Sequence, residues 1–159
     1  MRASRQVIRA IVWGGLIAGT LDIADALLFN GLRGVPPMRL LQAIASGLLG
    51  RDAFSGGAAT AALGLALHFF IATSVAAVYV LSSLRLPVLL RRPWLCGTIY
   101  GLGVHLVMKL AVLPLSQFRP GRAPAVVGVD WALVNLVLAH VLCVGIPVAL
   151  CARRVLGRR

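Results

Sequence analysis

Ala58 to Leu84 reads AATAALGLALHFFIATSVAAVYVLSSL, a run that no Asp, Glu, Lys or Arg interrupts. As an α-helix it would extend about 40 Å, more than the roughly 30 Å of a bilayer's hydrocarbon core, so it is long enough to cross with some tilt. Arg85 and Pro87 close it. Working outward, three more apolar runs of spanning length appear. One runs from about Ile8 to Phe29 and stops at the turn signal Asn30-Gly31; one runs from about Trp94 to Leu115, after Arg91-Arg92-Pro93; the last runs from about Val126 or Trp131 to Cys151, ahead of Arg153 and Arg154. The expected architecture is all-α, an integral membrane four-helix bundle forming a single membrane domain over residues 1–159, with spans at about 8–29, 58–84, 94–115 and 126–151.

Composition supports this. In 159 residues 60% are hydrophobic and 13% charged, and Lys109 is the sole lysine in a chain without glutamate. A soluble domain must coat itself with polar side chains, whereas here the charges gather in short clusters between the apolar runs. The formal net charge of +12 would suit phosphate binding, but the arginines sit at span ends, where they set topology and meet anionic lipid headgroups. No basic helix or aromatic-interleaved basic groove is present, so nucleic acid is not an expected partner. Cys96, Cys143 and Cys151 make an odd set without a CxxC pair and read as reduced, small hydrophobes. Arg2, Arg5 and Arg9 before an apolar run resemble a signal peptide, and Ala24-Asp25-Ala26 resembles a cleavage site. Two carboxylates inside the run, and more apolar sequence beyond it, favour an uncleaved first span.

Orientation follows from arginine placement. Arg2, Arg5, Arg9, Arg85, Arg91, Arg92, Arg153, Arg154, Arg158 and Arg159 fall on one side; Arg33, Arg39, Arg51, Arg119 and Arg122 fall on the other. The larger group belongs in the cytoplasm, which places both termini there and the protein in a bacterial inner (plasma) membrane. Trp13, Trp94 and Trp131 near span ends fit the interfacial belt. Between the first two spans, Pro36 to Gly50 is too short to cross, at about 22 Å of helix. Met38, Leu41, Ile44, Ala45 and Leu48 share one face and Arg39, Gln42 and Ser46 another, which predicts an amphipathic helix over about 36–50 lying on the outer surface, as a plain connector or as a lid over a central site.

Gly15 and Gly19 in the first span, and Gly97 and Gly101 in the third, are small residues four apart, a spacing that lets helix backbones approach closely. They imply tight packing and are compatible with a dimer. Each span also brings ionisable groups to depth: Asp22 and Asp25, then His68, then His105 and Lys109, then His140. Charges in hydrocarbon are costly, so such groups face the bundle interior and pair. Asp22 and Asp25 are three apart and His105 and Lys109 four apart, so each couple shares a helix face. If the first and third spans are neighbours, Lys109 can pair with Asp22 or Asp25.

Four readings of this polar slab stay open: a buried network that fixes helix registry, a transport or proton-relay site, metal held by His68, His105 and His140 with an Asp, and haem between two facing histidines. The three histidines lack the local spacing of a metal motif, and no GxSxG, HExxH, Walker or Rossmann signature occurs, so no cofactor and no enzymatic activity are expected. Ser116 and Gln117 read as a span end. Asp130 beside Trp131 reads as an interfacial helix start, its carboxylate near the positive end of the helix dipole.

Val104-His105, Leu113-Pro114-Leu115, the loop through Pro120 and Pro124, Trp131, Ala139-His140 and, earlier, His68-Phe69 resemble the pattern of the YagU-like bacterial inner-membrane proteins, chiefly over residues 60–145. The stretch from Gly31 to Gly57 is shorter than that family's first extramembrane loop, and Asp22, Asp25 and Lys109 match no family position. The resemblance implies a small multi-span protein in which the three histidines belong to one pattern; it implies no substrate. The expected role is that of a small transporter or proton- or cation-handling protein, or else of a structural or accessory subunit of a membrane complex. Expected partners are membrane lipid and either further copies of the chain or a different membrane subunit.

Overall fold

A computed structural model describes residues 2–117 and 130–157, and among these every regular element is helical. Helix α1 spans Arg2–Leu32, α2 Pro37–Leu49, α3 Gly57–Arg85 and α4, a single turn, Val88–Arg91. Helix α5 runs over Pro93–Leu115 and α6 over Trp131–Leu156. Four of these, α1, α3, α5 and α6, are long and apolar enough to cross a membrane. They overrun the apolar stretches by a few residues at most ends, because the backbone ladder continues into the charged flanks once it has left hydrocarbon. The alternative start of the last span at Val126 lies outside the described residues, as do Arg119, Pro120, Arg122, Pro124, Arg158 and Arg159.

Helix α6 is the central element. It packs along α1 and α5 and also touches α3 and α4, while α1 packs on α3. Helices α1 and α5 do not pack on each other, so the neighbourhood needed for a Lys109 ion pair with α1 is not formed. At the end of the bundle that carries both termini, Ala10, Ala18, Ala76, Val144, Val148, Ala149 and Ala152 form a buried core of mostly small side chains. Tyr79 and Tyr100 close that end between α3 and α5. Their rings meet edge to face at 5.0 Å, Tyr79 Oη donates to Leu89 O at 2.9 Å, and Tyr100 Oη donates to Val75 O at 2.7 Å.

Lipid cannot reward apolar burial between helices, so close backbone contact has to do the work, and glycine permits it. A Cβ on Gly15 would lie 2.7 Å from Thr73 Cα, and one on Gly19 2.8 Å from the Phe69 ring, so this pair seats α1 on α3. A Cβ on Gly97 would lie 2.9 Å from Ile146 Cα, and one on Gly101 2.7 Å from Val141 Cα, so the second pair seats α5 on α6. Both motifs are thus occupied within one chain. Gly145 answers them from α6, lying against Gly97 O and the Gly101 backbone.

Two π-helical turns interrupt the α ladders, Met108–Val112 in α5 and His140–Gly145 in α6. Each ends just ahead of a proline, Pro114 or Pro147. Proline cannot donate to the carbonyl four residues back and its ring crowds that carbonyl, and widening the preceding turn relieves the clash without ending the helix. For this reason α5 runs through Pro114 to Leu115.

Helix α2 starts with Pro37 at its first position and ends at Gly50, whose φ of 62° suits glycine. Burial does not divide cleanly between its two sequence faces: Arg39 of the polar face is exposed and Leu41 and Ile44 of the apolar face are half-buried. Gln42, Ala45 and Ser46 are buried against the protein, whereas Met38 and Leu48 are exposed, about half of each side chain's surface being free. Gln42 Nε2 donates to Gly57 O at 3.1 Å and to Thr60 Oγ1 at 3.4 Å, and Leu41 O lies against Gly64. Where the surroundings are lipid rather than water, polar side chains turn inward to find partners.

Candidate functional site

The ionisable side chains of the spans meet mainly along the α1–α6 seam. Asp22 and Asp25, three residues apart, both face α6. Asp25 Oδ2 accepts from Asn135 Nδ2 at 2.9 Å. Asp22 accepts no hydrogen bond among the described residues and lies within electrostatic reach of His140, His68 and Asp25. Asp22, Asp25, Asn30, Asn135 and His140, with Phe29, line a cavity of about 250 Å³ between the last turns of α1 and the first turns of α6. It therefore lies towards the end of the bundle opposite the termini, and the small-residue core underlies it at the other end.

The histidines differ in their bonding. His140 Nδ1 donates to Leu136 O at 2.7 Å, a bond that needs the proton on Nδ1 and leaves Nε2 available. His68 Nε2 donates in the same way to Gly19 O on α1 at 2.8 Å, leaving Nδ1. His105, only 6% exposed, meets the His140 ring edge to face at 5.3 Å. Its Nδ1 is buried without a hydrogen-bond partner among the described residues. Buried imidazole nitrogens are normally paired, so this orphan marks the inner limit of the polar cluster.

Five of the six groups expected at depth are thus linked: Asp22, Asp25, His68 and His140 around α1 and α6, and His105 through its contact with His140. Lys109 is exposed, in the π-helical turn of α5; it lies within electrostatic reach of His105 and makes no ion pair among the described residues. Depth along a helix can be read from sequence, but the side on which a residue emerges depends on packing. We expect Lys109→Met to leave thermal stability within about 0.5 kcal/mol of wild type and to show no coupling with Asp22→Asn in a double-mutant cycle. A coupling of about 1 kcal/mol or more in detergent-solubilised protein would restore the ion pair.

Asn135 was not among the expected site residues. The available signal was an amide at depth in the fourth span, where an unpaired side chain would be costly. Cys143, half-buried, also falls within the field of Asp25 and Asp22. Asp130 does start α6, its Oδ1 accepting from Ala132 N at 3.0 Å and Leu133 N at 3.3 Å.

Among the described residues no three His, Cys, Asp or Glu side chains converge closely enough to hold a metal ion. His105 and His140 touch directly, so a planar macrocycle does not fit between them. What the cluster offers chemically is a carboxylate pair facing a cavity, backed by imidazoles with free nitrogens, an arrangement suited to holding and passing a proton.

With four helices able to cross a membrane and a polar cluster enclosed among them, the chain has the make-up of a multi-pass membrane protein. No family model, no curated protein and no solved structure matches it.

Proposed function

We propose that this chain is a four-span protein of a bacterial inner membrane, with both termini in the cytoplasm, that takes up and releases a proton or small cation at the Asp22–His140 cluster from the outer face and performs no covalent chemistry. The observation that carries this reading is the cavity of about 250 Å³ that presents Asp22, Asp25 and His140 together, away from the termini. Carboxylates are retained at membrane depth against a cost of several kcal/mol, and a cavity lined by them is a place for water and cations. The arginine distribution supports the orientation, and the exposed Met38 and Leu48 of α2 support a helix in contact with lipid. Four spans make a thin wall, so passage across the membrane requires a second copy of the chain or a partner subunit. The likeness of His68, His105 and His140 to the YagU-like pattern belongs to the same proposal and names no substrate.

A second reading, a non-catalytic structural or accessory subunit, is favoured by the bonds that Asn135, His68 and His140 already make within the chain. Purified protein in vesicles loaded with a pH-sensitive dye separates the two. After external acidification, the proton-handling reading predicts faster internal acidification than in protein-free vesicles. Identical rates would favour the accessory role.

A further inference from the structure

At the end of the bundle that carries both termini, α1 and α6 enclose a surface cavity of about 360 Å³ lined by Gln6, Arg9, Trp13, Ile17, Cys151 and Arg154. Its two guanidinium groups come from different helices and face one space. Neither makes an ion pair among the described residues. The side-chain carboxylates of the whole sequence are Asp22, Asp25, Asp52 and Asp130, and Asp22, the nearest along α1, is about 20 Å from Arg9 by helix rise. No acidic side chain of this chain is therefore placed to neutralise the pair. Both guanidinium groups are exposed and converge on the cavity, which suits an anion from outside the chain.

The rest of the lining says what kind of anion. Trp13 and Ile17 occupy successive turns of α1 below Arg9 and are 54% and 41% exposed. An indole next to a basic pocket is the side chain expected at the headgroup level, with aliphatic surface continuing towards the hydrocarbon. A ligand matching both parts is amphiphilic, with an anionic head and an apolar tail. Inorganic phosphate would leave the apolar part unused.

We propose that this cavity binds one anionic phospholipid, its phosphate between Arg9 and Arg154 and an acyl chain along Trp13 and Ile17. Basic pockets between spans commonly hold such headgroups. The site is separate from the Asp22–His140 cluster and does not depend on what that cluster does.

The test uses Trp94→Phe/Trp131→Phe protein, in which Trp13 is the sole tryptophan, reconstituted in phosphatidylcholine vesicles. Phosphatidylglycerol brominated along its chains is titrated in and the Trp13 quenching compared with that by brominated phosphatidylcholine. At about fivefold per arginine, the expected preference for phosphatidylglycerol is about twenty-five-fold. Adding Arg9→Gln/Arg154→Gln should abolish that preference while leaving quenching by brominated phosphatidylcholine intact, which shows that Trp13 still sits in the bilayer. Arg91→Gln/Arg92→Gln, outside the cavity, should preserve it. Equal quenching by the two lipids, a preference that survives the loss of Arg9 and Arg154, or inorganic phosphate that competes as well as phosphatidylglycerol would overturn the assignment.

Discussion

Asp22→Asn is expected to bring proton entry into dye-loaded vesicles down to the level of protein-free vesicles while raising the thermal midpoint of the purified protein. Asp22 stands between His68 and His140 without a hydrogen-bond donor of its own among the described residues. Set in the cavity wall, an ionised carboxylate loses part of its hydration, which the neighbouring imidazoles only partly replace, and an amide of the same shape does not carry that cost. The gain should be on the order of 1–3 kcal/mol, a few degrees in Tm. Asp25→Ala should have the opposite sign. Removing Asp25 Oδ2 takes away the partner of the half-buried Asn135 Nδ2, and loss of such a bond costs about 0.5–1.5 kcal/mol. Thermal scans of the two variants beside wild type check both signs. A drop in stability for both would return Asp22 to the role of a registry element.

Gly145→Leu is expected to give the largest loss of folded protein. A Cβ at this position would lie 2.7 Å from Gly101 Cα and 2.6 Å from Gly101 N, and these are backbone atoms that cannot step aside. Helices α5 and α6 would have to separate, taking the His105–His140 contact with them. Overpacking of this kind costs about 3 kcal/mol or more. Gly103→Leu is the matching control, because nothing lies within 4 Å of a Cβ built there. It should stay within about 0.5 kcal/mol of wild type. Gel filtration of the two variants in mild detergent reads the result as monodisperse against aggregated protein, and equal recovery of both would show that the α5–α6 crossing is not set by this glycine.

Much of the fold is legible in the sequence because lipid imposes a simple demand: a long apolar run with charges at its ends must be a helix whose backbone satisfies itself. The runs at 58–84 and 94–115 lie within a residue or so of α3 and α5. The π-helical turns were not legible, since hydrogen-bond register leaves no mark on composition. Helix α2 was legible as a short helix, Pro37–Leu49, but not the inward bonds by which Gln42 reaches Gly57 O and Thr60, because those partners lie beyond the helix itself. The polar groups of the site followed from depth, while their pairing did not. Asn135 and Asp25 are joined across 110 residues of the chain, so no local spacing announces them, and the exposure of Lys109 depends on helix rotation.

The most direct test of the central claim, that Asp22 and Asp25 face a water-filled cavity reached from the side opposite the termini, is thiol accessibility. In a variant lacking Cys96, Cys143 and Cys151, Ala26→Cys places a thiol in the cavity wall, and Ala76→Cys places one in the sealed core. A membrane-impermeant maleimide applied to whole cells should label position 26 and spare position 76. An unreactive thiol at position 26, or one labelled only from the side of the termini, would contradict the account.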